Sequence, residues 1–243
     1  MSLESKKPRI FITGHTRGIG KAISLKLLKE GHSLSLGVRK KEDLVTTPLD
    51  PKCNNPNSFL VHTYDATDKK SSKKWVEKTV EAFKGIDTII HCAGILKKTN
   101  LIFSENEMQD IEELWKINVM GPWILTRDAW KYLAIGNSSR IIVLVSMSGK
   151  RSKGNLAGYS MSKFALMSLC QTMRNEGWEN GIRVTAICPG WVNTDMAKEI
   201  NHFPKNEMTQ VNDIANICSN LLDLPNSSVP FEISLNCQLE TTI

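Results

Sequence analysis

Short apolar runs alternate along this chain with longer segments whose apolar residues recur at helical spacing. Arg9-Ile10-Phe11-Ile12-Thr13 reads as a first strand. Residues 19–30 read as a helix, with Ile19, Ile23, Leu27 and Leu28 on one side and Gly31 at its end. Further strands are predicted at 33–38, 59–64, 87–92, 140–146, 183–188 and 231–235. Helical patterns fall between them at 69–83, 106–134, 157–179 and 211–223. The strands are apolar almost throughout rather than at every second position, which predicts burial on both faces. The fold class expected is α/β: a single doubly wound domain, its parallel seven-stranded sheet flanked by helices on both faces. The polar, proline-containing stretch 46–58 is too short to divide domains, so 1–243 reads as one domain with a core at about 7–235.

Candidate chemistry enters at the first strand–helix junction. Thr13-Gly14-His15-Thr16-Arg17-Gly18-Ile19-Gly20 spaces its glycines as G-x-x-x-G-x-G. Glycine permits a tight turn and close approach of backbone to a pyrophosphate, and the helix N-terminus that follows offers free N–H groups and partial positive charge. The second strand ends in Leu36-Gly37-Val38-Arg39, without the acidic residue that would take the ribose 2′-hydroxyl of NAD. The first acids, Glu42 and Asp43, come past the strand. Arg39 stands in their place with Arg17 in the loop nearby, and two guanidiniums suit the 2′-phosphate of NADP(H). Further on, Tyr159 and Lys163 are four residues apart, a spacing that stacks them on one helix face. A free phenol titrates near ~10, and a close cation would lower that toward the range useful for proton transfer.

Composition narrows the partners. With 41% hydrophobic and 23% charged residues the chain is an ordinary globular one. Its net charge of +6 is scattered in small groups such as Lys69-Lys70 and Lys73-Lys74, not in a stripe with aromatic platforms, which argues against a nucleic-acid partner. The six cysteines form no metal-like spacing, so no metal is expected, and the chain reads as reduced and cytoplasmic. The first seven residues hold no signal-peptide core and no apolar run nears the length of a membrane span.

In order and spacing these motifs resemble the short-chain dehydrogenases/reductases of NADP(H)-preferring type, over about Lys7 to Leu235. The resemblance implies a Rossmann fold. It assigns Gly14, Thr16, Arg17, Gly18, Ile19 and Gly20 to the T-G-x-x-x-G-I-G phosphate loop, Arg39 to the adenosine phosphate, and Asp65 to the adenine. Ala93-Gly94 matches the end of the family's N-N-A-G motif. Asn118 matches the catalytic asparagine, with Val119 beside it as a cofactor contact. Ser146, Tyr159 and Lys163 match the other catalytic positions, the last two also touching the cofactor. Pro189, Gly190 and Thr194 match the segment against the nicotinamide. The sequence departs from the family at His91-Cys92, which replace two asparagines and put the local hydrogen bonding in question. The stretch from Thr194 to the last helix is short, about sixteen residues, and the tail lacks the frequent V-D-G-G ending. That tail is weakly similar to the 3-hydroxyacid and serine dehydrogenase branch.

The resemblance implies an NADP(H)-dependent oxidoreductase interconverting a carbonyl and a secondary alcohol. Tyr159 would be the general acid/base, Ser146 would hold the substrate oxygen, Lys163 would lower the tyrosine pKa, and Asn118 would hold a relay water. Ser148 is a decoy at the wrong spacing. Ile95, Met147, Trp191 and Met196 are expected beside the substrate, and Lys97, Lys150, Arg151 and Lys153 could rim the same mouth. Three alternatives stand beside this: a catalytically silent nucleotide-sensing protein, a 3-hydroxyacid dehydrogenase-like enzyme for anionic substrates, and a sugar-nucleotide epimerase. Family members commonly form dimers or tetramers through two long helices, and Trp115, Trp123, Trp130, Leu166 and Leu169 are candidates for that surface.

Overall fold

The computed structural model describes residues 7–239. The expectations about a leader and a tail fall partly on 1–6 and 240–243, outside the described residues. The strands are β1 (Arg9–Thr13), β2 (Ser33–Val38), β3 (Phe59–Thr63), β4 (Thr88–His91), β5 (Ser139–Leu144), β6 (Ile182–Pro189) and β7 (Glu232–Leu235). They form one seven-stranded sheet in the order β3-β2-β1-β4-β5-β6-β7, parallel throughout. The helices are α1 (Gly18–Lys29), α2 (Ser71–Phe83), α3 (Glu105–Trp115), α4 (Gly121–Ile135), α5 (Ala157–Gly177) and α6 (Val211–Asp223).

Alternate residues of each strand feed two separate cores, as the pleat requires. Ile10 and Ile12 of β1 join Ile23 and Leu27 of α1 and Ile214 of α6 on one face. Phe11 joins Trp75 of α2, Leu125 of α4 and Leu166 of α5 on the other. This two-sided burial explains the unbroken apolar strands. After β1 the chain builds outward to β2 and β3, then crosses back to place β4 on the other side of β1. The connections therefore part at the carboxyl ends of β1 and β4, where doubly wound sheets open a crevice.

Two elements differ from expectation. The helical stretch 106–134 is interrupted by a wide π turn at Lys116–Met120, where the Gly121 N–H bonds to the Lys116 carbonyl. Such turns bulge a helix and bring an extra residue to a site. The strand expected to reach residue 146 stops at Leu144, because Ser146 turns out of the sheet at φ +140°. Of the proposed surface residues, Leu166 and Leu169 are core and Trp130 packs partly against it, whereas Trp115 and Trp123 remain 47% and 51% exposed. No helix among the described residues is long and apolar enough to cross a membrane.

Candidate active site

At the crevice, Gly14 has φ +68°, and a Cβ there would lie 2.6 Å from the Ala93 nitrogen. Only glycine lets the loop after β1 lie this close to the chain leaving β4. Thr13 fastens the two: its hydroxyl oxygen accepts from the N–H groups of Cys92 and Ala93, both at 3.1 Å. Helix α1 begins at Gly18 with no side-chain cap and no acid in its first turn. Its N–H groups and partial positive charge are thus left for an anion.

A cavity of about 470 Å³ opens over this helix end. All six expected loop residues line it, from Gly14 to Gly20. Arg39, Asp65, Ala93, Gly94 and Thr194 line it as well. The Asp65 carboxylate accepts from the N–H and hydroxyl of Thr67, both at 2.8 Å. Arg17 is 73% exposed, 3.8 Å from Asp195 across the opening. Val119 is a correction: it is buried within the π turn, and Ile117 faces the cavity instead. Asp43 also reaches this cavity, although it lies beyond β2. His15, inside the loop, is fully buried, its ring nitrogens without a well-formed hydrogen bond, and burial pushes its pKa down to about 4.

A second cavity of about 880 Å³ continues from the first, sharing Arg17, Gly94 and Thr194, and it contains Ser146, Tyr159, Lys163, Pro189 and Gly190. Its reactive side chains are brought together by a close crossing. A Cβ on Gly149 would come within 2.8 Å of the Lys163 carbonyl oxygen, so the turn carrying Ser146 can seat itself on α5 only through glycine. Ser146 and Tyr159 share a side-chain hydrogen bond. The Ser148 N–H, 3.1 Å away, also donates to the Ser146 hydroxyl, which fixes Ser146 rather than Ser148 beside the phenol.

Tyr159 is 6% exposed and Lys163 is 5% exposed. Burial raises the tyrosine pKa, and the bond with Ser146 pulls it partly back. The lowering expected from Lys163 does not operate. Its ammonium lies 5.8 Å from the ring centre and donates instead to the Leu144 carbonyl at 3.0 Å. Desolvation therefore governs both groups, and burial brings Lys163 itself down to about 8.

Asn118 is also placed differently from expectation. It is fully buried and does not line either cavity. From the π turn its side chain accepts from the Ile95 N–H at 2.9 Å, and donates to the Ile95 carbonyl and the Ser162 hydroxyl, both at 3.0 Å. It thus ties the loop after β4 to α5. The asparagines missing at 91–92 are partly replaced in kind: the His91 ring nitrogen is 2.9 Å from the Thr126 hydroxyl and pins β4 to α4.

Ile95, Met147, Trp191 and Met196 all line the larger cavity, as do Lys97, Arg151 and Lys153. Lys150 does not; it turns away to pair with Glu232. Lys98, which sequence reasoning passed over, rims the mouth and pairs with Glu199. The short cover after Thr194 is anchored by Trp191, whose ring meets those of His202 and Phe203 at 5.0 and 5.4 Å.

The profile of the short chain dehydrogenase family matches residues 8–205, the span that contains both cavities. The chain belongs to the short-chain dehydrogenase/reductase family. This dehydrogenase/reductase is similar to an agropine synthesis reductase of Rhizobium rhizogenes, 34% identical over 97% of the chain and 54% of that protein. A second such relative is covered to the same 54%, so the chain spans about half the length of these curated relatives. An acetoacetyl-CoA reductase of Shinella zoogloeoides is 26% identical over 81% of the chain and 78% of its own length. Among solved structures, an alcohol dehydrogenase of Thermococcus sibiricus complexed with 5-hydroxy-NADP superposes with a TM-score of 0.82, at 26% identity, covering 94% of this chain and 96% of that one. Family membership places the chain in an oxidoreductase family built on a Rossmann-type sheet.

Proposed function

We propose that this oxidoreductase interconverts a carbonyl and a secondary alcohol with NADP(H), Tyr159 serving as the general acid/base. The observation that carries the reading is the meeting of Ser146, Tyr159 and Lys163 in one cavity that runs on into the glycine loop. The residues present fit a dinucleotide. The uncapped start of α1, with Gly14 and Gly18 around it, would take the pyrophosphate, and Asp65 would meet the adenine. Arg39 and Arg17 would hold a 2′-phosphate, which favours NADP(H), although Asp43 in the same cavity tempers that preference. Pro189, Gly190 and Thr194 would face the nicotinamide end.

When bound, the nicotinamide supplies or accepts the hydride at the carbonyl carbon. Ser146 donates a hydrogen bond to the substrate oxygen, and Tyr159 passes its proton to that oxygen. The raised Tyr159 pKa keeps the phenol protonated at neutral pH, the form needed for reduction. Lys163, still largely charged at pH 7 with a pKa of about 8, stays on the Leu144 carbonyl and faces the same cavity, where it would touch the bound nucleotide. Asn118 acts by positioning, holding Ile95 and the α5 residue Ser162 in place. Self-association belongs to the same reading: Trp115 and Trp123 leave apolar area exposed on α3 and α4, and Met161 and Phe164 do so on α5.

Tyr159→Phe tests the assignment. The variant is expected to lose at least ~100-fold in turnover of carbonyl substrates, the scale of a lost general acid. It should still bind NADPH, and more tightly than NADH. Turnover within twofold of the parent protein would remove Tyr159 from the chemistry, and equal affinity for the two nucleotides would remove the 2′-phosphate assignment.

A further inference from the structure

The two cavities meet along a seam, and an ion pair spans it. Arg17 of the glycine loop and Asp195 of the cover each line both cavities. Arg17 Nη1 stands 3.8 Å from Asp195 Oδ2. Lys198 takes the other oxygen, Oδ1, at 3.0 Å. The carboxylate is therefore held between two cations from different segments, Lys198 on its own turn and Arg17 opposite. Lys198 above all, with a smaller pull from Arg17, keeps the Asp195 carboxyl below its ordinary range, so it is charged at neutral pH.

The place of that carboxylate is fixed by its backbone. Thr194 lies against the glycine loop: its Cγ2 would be 3.5 Å from a Cβ on Gly18, an ordinary van der Waals contact. Asp195 then opens one short turn, Asp195–Ala197. In it the Ala197 N–H donates to the Thr194 carbonyl at 3.0 Å, and the Lys198 N–H donates to the Asp195 carbonyl at 3.2 Å. Asp195 thus stands beside the start of α1, against a guanidinium assigned to the 2′-phosphate. A carboxylate in that place discriminates between the two nucleotides. To take a 2′-phosphate, Arg17 has to leave Asp195, and the phosphate then comes near a second negative charge. NADH presents a hydroxyl instead and meets neither cost.

We propose that Asp195 is a specificity residue: by competing with the 2′-phosphate for Arg17, it limits the preference for NADP(H) over NAD(H). This rests on the assignment of Arg17 to the 2′-phosphate and adds the residue that opposes it.

Dissociation constants of NADPH and NADH, read from nicotinamide fluorescence, provide the test and need no turnover. At low ionic strength, Asp195→Asn is expected to raise the ratio of the NADH to the NADPH dissociation constant about two- to fivefold, the scale of an exposed ion pair. The rise should disappear in an Arg17→Met background, because the double-mutant cycle isolates the pair. Glu199→Gln removes a charge from the same cover, but one paired with Lys98, and should leave the ratio unchanged. A ratio that stays level or falls in Asp195→Asn overturns the proposal. So does a rise of the same size in Glu199→Gln, or one that persists without Arg17, since either would make it an effect of net charge alone. Failure of the underlying reading looks different. A parent protein with equal affinity for the two nucleotides, unchanged in Arg17→Met, removes the 2′-phosphate assignment and this proposal with it. A parent preference that falls in Arg17→Met but does not rise in Asp195→Asn removes this proposal alone.

Discussion

At Lys163 an ammonium is kept 5% exposed on a single carbonyl, Leu144, and burial pulls its pKa from 10.5 to about 8. Between those two values the unfolded chain holds more protons than the folded one, so this residue makes stability rise with pH from about 8 to 10.5; below 8 the full penalty is present. The penalty is on the order of 3 kcal/mol, and removing the charge leaves the Leu144 carbonyl without its donor, at about 1–2 kcal/mol. Lys163→Met is therefore expected to raise Tm at pH 7 by about 2–4 °C while turnover is lost, read by calorimetry alongside activity. A lowered Tm would mean that the lysine stabilises the fold. The pairing of Tyr159 with Lys163 was legible in sequence, because helical spacing alone brings such residues to one face. The direction of the tyrosine shift was not legible, since burial is set by chain segments far away, chiefly β5 and its turn.

The strands were legible because both faces of this sheet are covered, which writes apolar residues into nearly every strand position. The π turn was not. Lys116-Ile117-Asn118-Val119-Met120 contains nothing that a regular helix would reject, and the turn is visible only in its hydrogen bonding. The placement of Val119 failed for the same reason: inside the wider turn it faces the core, and Ile117 takes the cavity side. Helices on either side of the turn each leave a tryptophan in solvent, Trp115 on α3 and Trp123 on α4, and α5 exposes Phe164 and Met161. A charge introduced there would oppose burial between copies. Trp123→Glu is expected to shift the protein from a dimer or tetramer to the monomer mass in sedimentation velocity, with little change in Tm beyond that due to dissociation. A parent protein that sediments as a monomer would remove self-association from the functional reading.

At the scale of the whole molecule, two buried histidines, His15 and His91, are held neutral. Burial lowers His15 to about 4 and His91 to about 3, against 6.5 for each when exposed. Their folded pKa values are depressed, so the stability they permit is present above about 6.5 and is lost as pH falls toward 4 and 3. Each contributes a slope approaching ~1.4 kcal/mol per pH unit within that window. Urea midpoints measured from pH 7 to 4 are expected to fall steadily, and the fall should be shallower in His15→Ala. An identical slope in that variant would show that His15 is protonated in the folded state without penalty. The sequence revealed where His15 stands, in the phosphate loop, but gave no sign that it is sealed there, because the seal forms only when the loop packs against the chain leaving β4.

Ser146 leaves a further consequence. At φ +140° its backbone occupies a region that costs a residue with a side chain about 1–3 kcal/mol and costs glycine almost nothing. Replacement by glycine would relax the chain and delete the hydroxyl in the same step. The single change to glycine therefore gains backbone stability while it silences the chemistry. A lineage that ceased to need the reaction would have had an easy path to take at this position, and this chain has not taken it.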